Sequence, residues 1–321
     1  MNLLEEYSDW IQRAGPRVAA SSARNYRAAV REYIEHFGDP VYATDATVEK
    51  WRRYIDSTHR NGVVAKASAS AINVKVVALR ALFQFLIERG LRKDNPAQRL
   101  TLPRKSELVP ECVREQEVNA LVEADSLSLQ DRAMVEVLIG SGLRRSETAH
   151  LCLGQVASPA LLRVVGTGGR ERLAPLTDAG YAALRDWALH EHGDNTSAKL
   201  KRSAGADAAF EDLCTRRPGV PFFINGEGVP LPQLKFPGNV IYKRWKFVCE
   251  QLGLPPTTNP RKARNYFGAA LVNEGANLKL IQEAMGHKSI VSTTAYTKVP
   301  SPSAAGIEAL RGLHPRQKME G

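Results

Sequence analysis

Apolar residues recur at helical spacing through the first hundred residues. In the clearest stretch, residues 68–89, Ile72, Val76, Leu79, Phe83 and Leu86 fall at i, i+4, i+7, i+11 and i+14, and Gly90 follows as a stop. Ser21 or Ser22 caps an earlier helix through Tyr26, Val30 and Ile34 to about Phe37, with Gly38 at its end. Asp45 or Thr47 opens another through Val48, Trp51 and Ile55. Residues 3–11 are amphipathic, so four helices are predicted and no strand. Between Asn95-Pro96 and Pro110 the periodicity lapses, and Pro103 with the basic pair Arg104-Lys105 predicts an extended linker.

Beyond the linker the helical pattern returns at residue 115, through Val118, Leu121 and Val122, and again over 133–140. Two β-type runs, 161–165 and 172–176, flank Gly166-Thr167-Gly168-Gly169-Arg170 and predict a hairpin. Asp178 starts a helix through Tyr181, Leu184 and Trp187. Residues 195–219 are polar, basic and without period, which reads as a surface excursion. Helices are predicted again over 240–252, 262–274, 278–285 and 290–296. The fold class expected is mostly α with a small antiparallel β-sheet or hairpin. The domains expected are 1–100, a linker 101–111, 112–299, and a tail 300–321 whose residues 304–313 form a short amphipathic helix on Ile307, Leu310 and Leu313.

Composition narrows the partners. At 321 residues the chain is long enough for two cores, and its 43% hydrophobic and 24% charged content is ordinary for a globular protein. The net charge of +10 and pI near 9.5 point to a polyanionic partner. Up to Lys105 there are 18 Lys and Arg against 11 Asp and Glu, a net of +7, so most of the excess lies in a third of the length. Cys112, Cys152, Cys214 and Cys249 are scattered without a CxxC pair, which fits neither a zinc site nor a disulfide scaffold. His190-Glu191-His192 lacks a third ligand nearby and reads as a solvated helix end. The opening residues lack the features of a signal peptide, and no apolar run reaches the ~18 residues of a membrane span. A reduced, cytoplasmic protein with no membrane, metal or cofactor partner is expected.

Four fragments carry chemistry: Gly142-Leu143-Arg144-Arg145-Ser146-Glu147, Asn259-Pro260-Arg261-Lys262-Ala263-Arg264, Met285-Gly286-His287 and Thr294-Ala295-Tyr296. Guanidinium forks clamp the non-bridging oxygens of a phosphodiester, an imidazole donates a hydrogen bond, and a phenol attacks. Singly, each has a plain structural reading: a solvated arginine, a capping histidine, a half-buried tyrosine. Their order and spacing are more specific. Arg261 precedes Arg264 by three residues and His287 precedes Tyr296 by nine. In these motifs, the linker wording and the helical N-terminal half, the chain resembles the tyrosine recombinase, or phage integrase, family over nearly its whole length.

That resemblance implies that Arg144 and Arg264 hold the scissile phosphate of duplex DNA. Tyr296 would attack it, leaving a 3′-phosphotyrosyl link and a free 5′-hydroxyl. Glu147 would orient Arg144 or brace its helix, and His287 would bond the phosphate or steady the tyrosine. It further implies a two-domain, C-shaped DNA clamp. Arg24, Arg27, Arg31, Lys66, Lys75, Arg80, Arg104 and Lys105 would contact chiefly phosphates. The tail would dock on a neighbouring protomer of a homotetramer, the alternative being a fold back onto its own domain. Accessory DNA-bending proteins or a partner recombinase, and service in integration, excision or resolution of a mobile element, belong to the same implication.

The chain departs from the family at three positions. The family usually has a lysine in the hairpin that protonates the departing 5′-oxygen. Thr167 stands there, and a hydroxyl is a poor acid near neutral pH. Arg170 is the first candidate to replace it and Arg172 the second. Arg261 stands where His or Lys is usual, adding charge without a proton acceptor, and Asn265 replaces another frequent histidine. A weakened member that serves as an architectural DNA-binding protein is the alternative these departures favour. A type IB topoisomerase-like enzyme is a further one, opposed by the helical N-terminal domain and the tail helix.

Overall fold

A computed structural model describes residues 3–13, 20–60, 63–103, 109–166 and 169–299. The chain divides into two units, Met1–Glu107 and Leu108–Gly321. Thr167, Arg104, Lys105 and the tail helix expected over 304–313 lie outside the described residues.

The first unit contains α1 (Leu3–Arg13), α2 (Ala20–Phe37), α3 (Asp45–Tyr54), β1 (Ser57–Arg60), β2 (Val63–Lys66) and α4 (Ala69–Glu88). Ser68 caps α4 by accepting from the Ala71 amide, and Gly90 follows its end at φ +71°. Ile72, Val76, Leu79, Leu82, Phe83 and Leu86 of α4 are buried with Tyr7, Val30, Tyr33, Val48 and Trp51 in one core. This helix is long and apolar enough by composition to cross a membrane, although Lys75 and Arg80 interrupt any continuous apolar run, as the sequence reading has it. Half of the helix is buried in this core, and a core helix reaches such an apolar content for packing reasons alone.

The hairpin of β1 and β2, paired antiparallel from Ser57↔Lys66 to Arg60↔Val63, is an element the helical expectation lacked. Its signal was short. Thr58, Val63 and Val64 are β-branched, and Asn61-Gly62 between the strands is the pair favoured in two-residue hairpin connections.

The second unit begins with α5 (Glu115–Val122), α6 (Leu129–Gly140) and α7 (Arg145–Ala149). Strands β3 (Val156–Ser158), β4 (Leu161–Val165) and β5 (Glu171–Pro175) form an antiparallel sheet in that order. Next come α8 (Asp178–Glu191), α9 (Asn195–Ala204), α10 (Ala206–Arg216), α11 (Pro237–Gln251), α12 (Pro260–Asn273), α13 (Leu278–Met285) and α14 (Val291–Thr294). The fold is mostly α with a small antiparallel sheet, as the periodicity predicts. Ala133 through Gly140 of α6 are all buried, packed among α8, α11 and α12.

Residues 195–219 are not an irregular excursion, for α9 and α10 occupy most of them. Asp194 caps α9 through the Ser197 amide and also pairs with Arg216 at 2.8 Å. Ala209, Phe210, Leu213 and Cys214 of α10 are buried, with Phe210 and Tyr181 of α8 in an edge contact. The apolar stripe is one narrow face amid charges, too sparse to stand out by eye.

Candidate active site

Arg144 stands at the N-terminus of α7, where the Glu147 carboxylate accepts from its backbone amide at 2.7 Å and from its guanidinium at 2.8 Å. β5 delivers Arg172 to the same carboxylate, Nη1 at 2.9 Å and Nη2 at 3.0 Å. Arg264 of α12, a helix opened by Asn259 and Pro260, comes within 3.9 Å of it. Three guanidiniums thus surround one buried carboxylate, leaving a net of +2. Burial alone would raise the Glu147 carboxyl; hydrogen bonds and charge from Arg172, then Arg144, outweigh it and hold the group below its ordinary range.

The same three arginines cap the end of α13. Arg172 Nε donates to the Ala284 carbonyl at 2.8 Å, Arg264 to the Met285 carbonyl, and Arg144 to the Gly286 carbonyl at 2.8 Å. A helix leaves its last carbonyls unpaired and its C-terminus partly negative, so three cations there satisfy both needs at once. Gly286 closes the helix at φ +62°, and a Cβ on it would come within 3.2 Å of Arg172 Nε and Cζ. Side-chain exposure grades the cluster: Arg144 retains 33%, against 9% for both Arg172 and Arg264. Arg144 is therefore the arginine most open to a ligand. Burial, then the neighbouring Arg144, lowers the Arg264 guanidinium to about 10, which still leaves it charged at neutral pH.

His287 follows directly. Its Nδ1 lies 2.9 Å from the hydroxyl of buried Thr293, and its ring stacks on Tyr296 with centroids 5.9 Å apart. Burial first, then Arg264, Arg144 and Arg172, lowers the imidazole from 6.5 to about 4. It is neutral at physiological pH, with Nε2 left for chemistry. Tyr296 is 4% exposed and packs with Phe267, Leu271, Ile281 and Met285. Its hydroxyl donates to Asn265 Oδ1 at 3.2 Å. Burial raises the phenol above its ordinary value, with Arg264 the main opposing charge.

The structure therefore brings together Arg144, Glu147, Arg172, Arg264, His287 and Tyr296. Arg170 is exposed beyond the start of β5, whereas Arg172 shares the inward face of that strand with Ala174, so the order expected between the two is not the order of placement. Arg261 is exposed on the first turn of α12, within electrostatic reach of Tyr296. Sequence reasoning missed Thr293, the tie of Asn265 to Tyr296, and the carbonyl triplet; Gly286 as a helix stop was the one available signal.

In the first unit Arg24, Arg27 and Arg31 are exposed on α2, and Lys66 is exposed at the end of β2. Lys75 is paired with Glu32 at 2.7 Å. Arg80 is a structural clasp, donating to the carbonyls of Ala97, Gln98 and Leu100 at 3.1, 3.2 and 2.6 Å.

A model of the phage integrase family matches residues 111–301, and one of its N-terminal SAM-like domain matches residues 4–90. The tyrosine recombinase XerC of Chromobacterium violaceum is 30% identical over 301 residues, covering 92% of this chain and 89% of its own. The tyrosine recombinase XerD of Yersinia pestis is 27% identical over 97% and 95% of the two chains. Among solved structures, XerH site-specific recombinase bound to difH substrate shares the fold at a TM-score of 0.62 and 16% identity, over 92% of this chain and 80% of that one. The Tn1549 transposon integrase in complex with transposon right-end DNA does so at 0.61 and 18%, over 94% and 96%. With the match extending over both units, the chain belongs to the tyrosine recombinase, or phage integrase, family and is a site-specific DNA recombinase.

Proposed function

We propose that this recombinase exchanges DNA strands through a 3′-phosphotyrosyl intermediate formed on Tyr296. The observation that carries the reading is the convergence of Arg144, Arg172 and Arg264 on Glu147 beside the stacked pair of His287 and Tyr296. Arg144 and Arg264 hold the non-bridging oxygens of the phosphate, and their fixed charge stabilises the negative charge that builds at phosphorus. The Tyr296 oxygen gives up its proton to the neutral His287 imidazole and bonds to phosphorus as the bond to the 5′-oxygen breaks, and that oxygen takes up a proton from water. The ester conserves the bond energy, so a 5′-hydroxyl from another strand reverses the step without ATP. Glu147 keeps the three arginines in register. Arg24, Arg27, Arg31 and Lys66 add phosphate contacts from the domain of residues 1–100. Two duplexes carry four strands to be cut, which takes four nucleophiles and hence a homotetramer. Whether exchange integrates, excises or inverts follows from where the two sites lie.

Trapping on a nicked duplex, where the short cleaved fragment diffuses away, tests this reading. A covalent protein–DNA adduct through the 3′-phosphate is the expected result. Specific binding without adduct would overturn it in favour of an architectural role.

His287 sets the pH response. At subsaturating DNA the rate reports groups of the free protein. No inflection is expected around the ordinary imidazole value of 6.5, and a fall is expected only as the pH approaches about 4, where protonation removes the acceptor. An inflection near 6.5 that disappears in His287→Gln would overturn this.

At the leaving group, Arg172 and Arg170 supply charge but a guanidinium keeps its proton. Thr167→Lys is therefore expected to speed cleavage roughly tenfold to a hundredfold. A substrate with sulfur in place of the 5′-oxygen, which leaves as a thiolate without protonation, should abolish that difference. Equal rates for both proteins on the ordinary substrate would show that another group already acts as the acid.

A further inference from the structure

We infer that Asn265 is a positioning residue for the nucleophile, fixing the Tyr296 hydroxyl against α12 through a side-chain amide that the backbone of residue 111 holds in one orientation. The inference rests on the proposal that Tyr296 attacks the phosphate.

The Tyr296 hydroxyl donates to Asn265 Oδ1 at 3.2 Å, and Asn265 Nδ2 donates to the Glu111 carbonyl at 2.8 Å. A primary amide offers acceptors on one side and donors on the other. Turning it over would set Oδ1 against the Glu111 carbonyl, two acceptors face to face. The carbonyl therefore decides which side meets the phenol, and the phenol meets an acceptor. The segment that supplies this carbonyl is itself tied to α12. Val113 N donates to the Lys262 carbonyl at 3.3 Å, and Lys262 Nζ pairs with the Glu111 carboxylate at 2.8 Å.

A second observation, independent of the amide, concerns the ring. Gly268 lies one turn along α12 from Asn265. A Cβ there would come within 2.9 Å of Tyr296 Cε2 and Cζ and 2.8 Å of Met285 Sδ. The helix thus presents bare backbone to the ring and an amide to the hydroxyl. Arg264, the neighbour of Asn265 in sequence, caps α13 from the same helix. Phosphate clamp and nucleophile are in this way registered on one rigid element, which holds a reacting geometry better than a loop does. The amide accepts a hydrogen bond but takes no proton, so its contribution is place rather than base catalysis.

The test is the single-turnover rate of adduct formation at saturating protein, on nicked duplexes that the wild-type protein recovers from a randomised pool. Affinity is followed separately by mobility shift. Asn265→Ala is expected to lower the rate roughly tenfold to a hundredfold while Kd stays within about twofold. Asn265→Asp keeps the shape and the acceptor but cannot donate to Glu111, and is expected to lose rate as well. In Asn265→His a neutral imidazole donates with one nitrogen and accepts with the other, whereas a protonated one only donates. That variant should recover rate at high pH and lose it on acidification through the imidazole range, a step the wild type lacks. Wild-type rates in the Ala or Asp variant, rate and affinity lost together, or a His variant with the wild-type pH profile would each overturn the inference. Absence of any adduct from the wild-type protein would instead defeat the nucleophile reading, and the inference would fall with it.

Discussion

Tyr296→Phe is expected to abolish the covalent adduct, a loss of ~10⁴-fold or more, the scale seen when a nucleophile is removed. The substitution deletes one oxygen and leaves the ring. Its packing against Phe267, Leu271, Ile281 and Met285 is retained, as is its stacking on His287. What is lost locally is the bond to Asn265, worth about 1 kcal/mol in a partly buried setting. Affinity for the site should therefore stay within about twofold, because the arginine cluster and the basic residues of α2 are untouched. Denaturing electrophoresis reads the adduct and mobility shift reads the affinity. An adduct that persists in the Phe protein would assign the nucleophile to another side chain.

Glu147→Gln is expected to damage both stability and activity. The wild-type carboxylate accepts from Arg144 and Arg172 and lies 3.9 Å from Arg264. A glutamine offers one oxygen in place of two and turns an NH₂ toward guanidinium donors. Arg172 and Arg264, both nearly buried, would then repel each other without a counter-charge. Removing one partner of a buried ion pair costs about 3–5 kcal/mol, a large share of what a domain has. The adduct-forming rate should fall at least about a hundredfold as Arg144 and Arg264 lose their register. Acid gives a further check, with the sign set by the depressed carboxyl. The Glu147 contribution is present above the ordinary carboxylate range and is lost as the pH falls through the lowered folded value. Wild type and variant should therefore differ most near neutrality and converge in acid. Chemical denaturation along a pH series measures this, and a variant as stable as wild type at pH 7 would refute it.

Several elements were legible in the chain before any coordinates. The apolar row of α4, its start at residue 68 and its stop at Gly90 are local signals, and local signals place helices. Two short apolar stretches were not legible. The β1–β2 hairpin rests on four-residue strands, and α10 hides a narrow buried face within charged sequence. In the first the pattern is only four residues long on each side, and in the second packing against neighbours outweighs a weak intrinsic preference.

The sequence by itself determined the helical class and the basic N-terminal third, and it named a break near residues 101–111 and a set of arginines, a histidine and a tyrosine as candidates for one chemistry. It did so because periodicity, breakers and motif spacing are properties of adjacent residues. Only the tertiary structure decided that Arg172 rather than Arg170 joins the cluster, that Glu147 serves three arginines, and that these end on the carbonyls of Ala284, Met285 and Gly286. Those contacts join residues 21, 112 and 142 apart in the chain. The neutrality of His287 and the orientation of the Asn265 amide have the same origin. Each is set by burial and by partners that the fold brings from elsewhere, and neither quantity is written in the residues beside it.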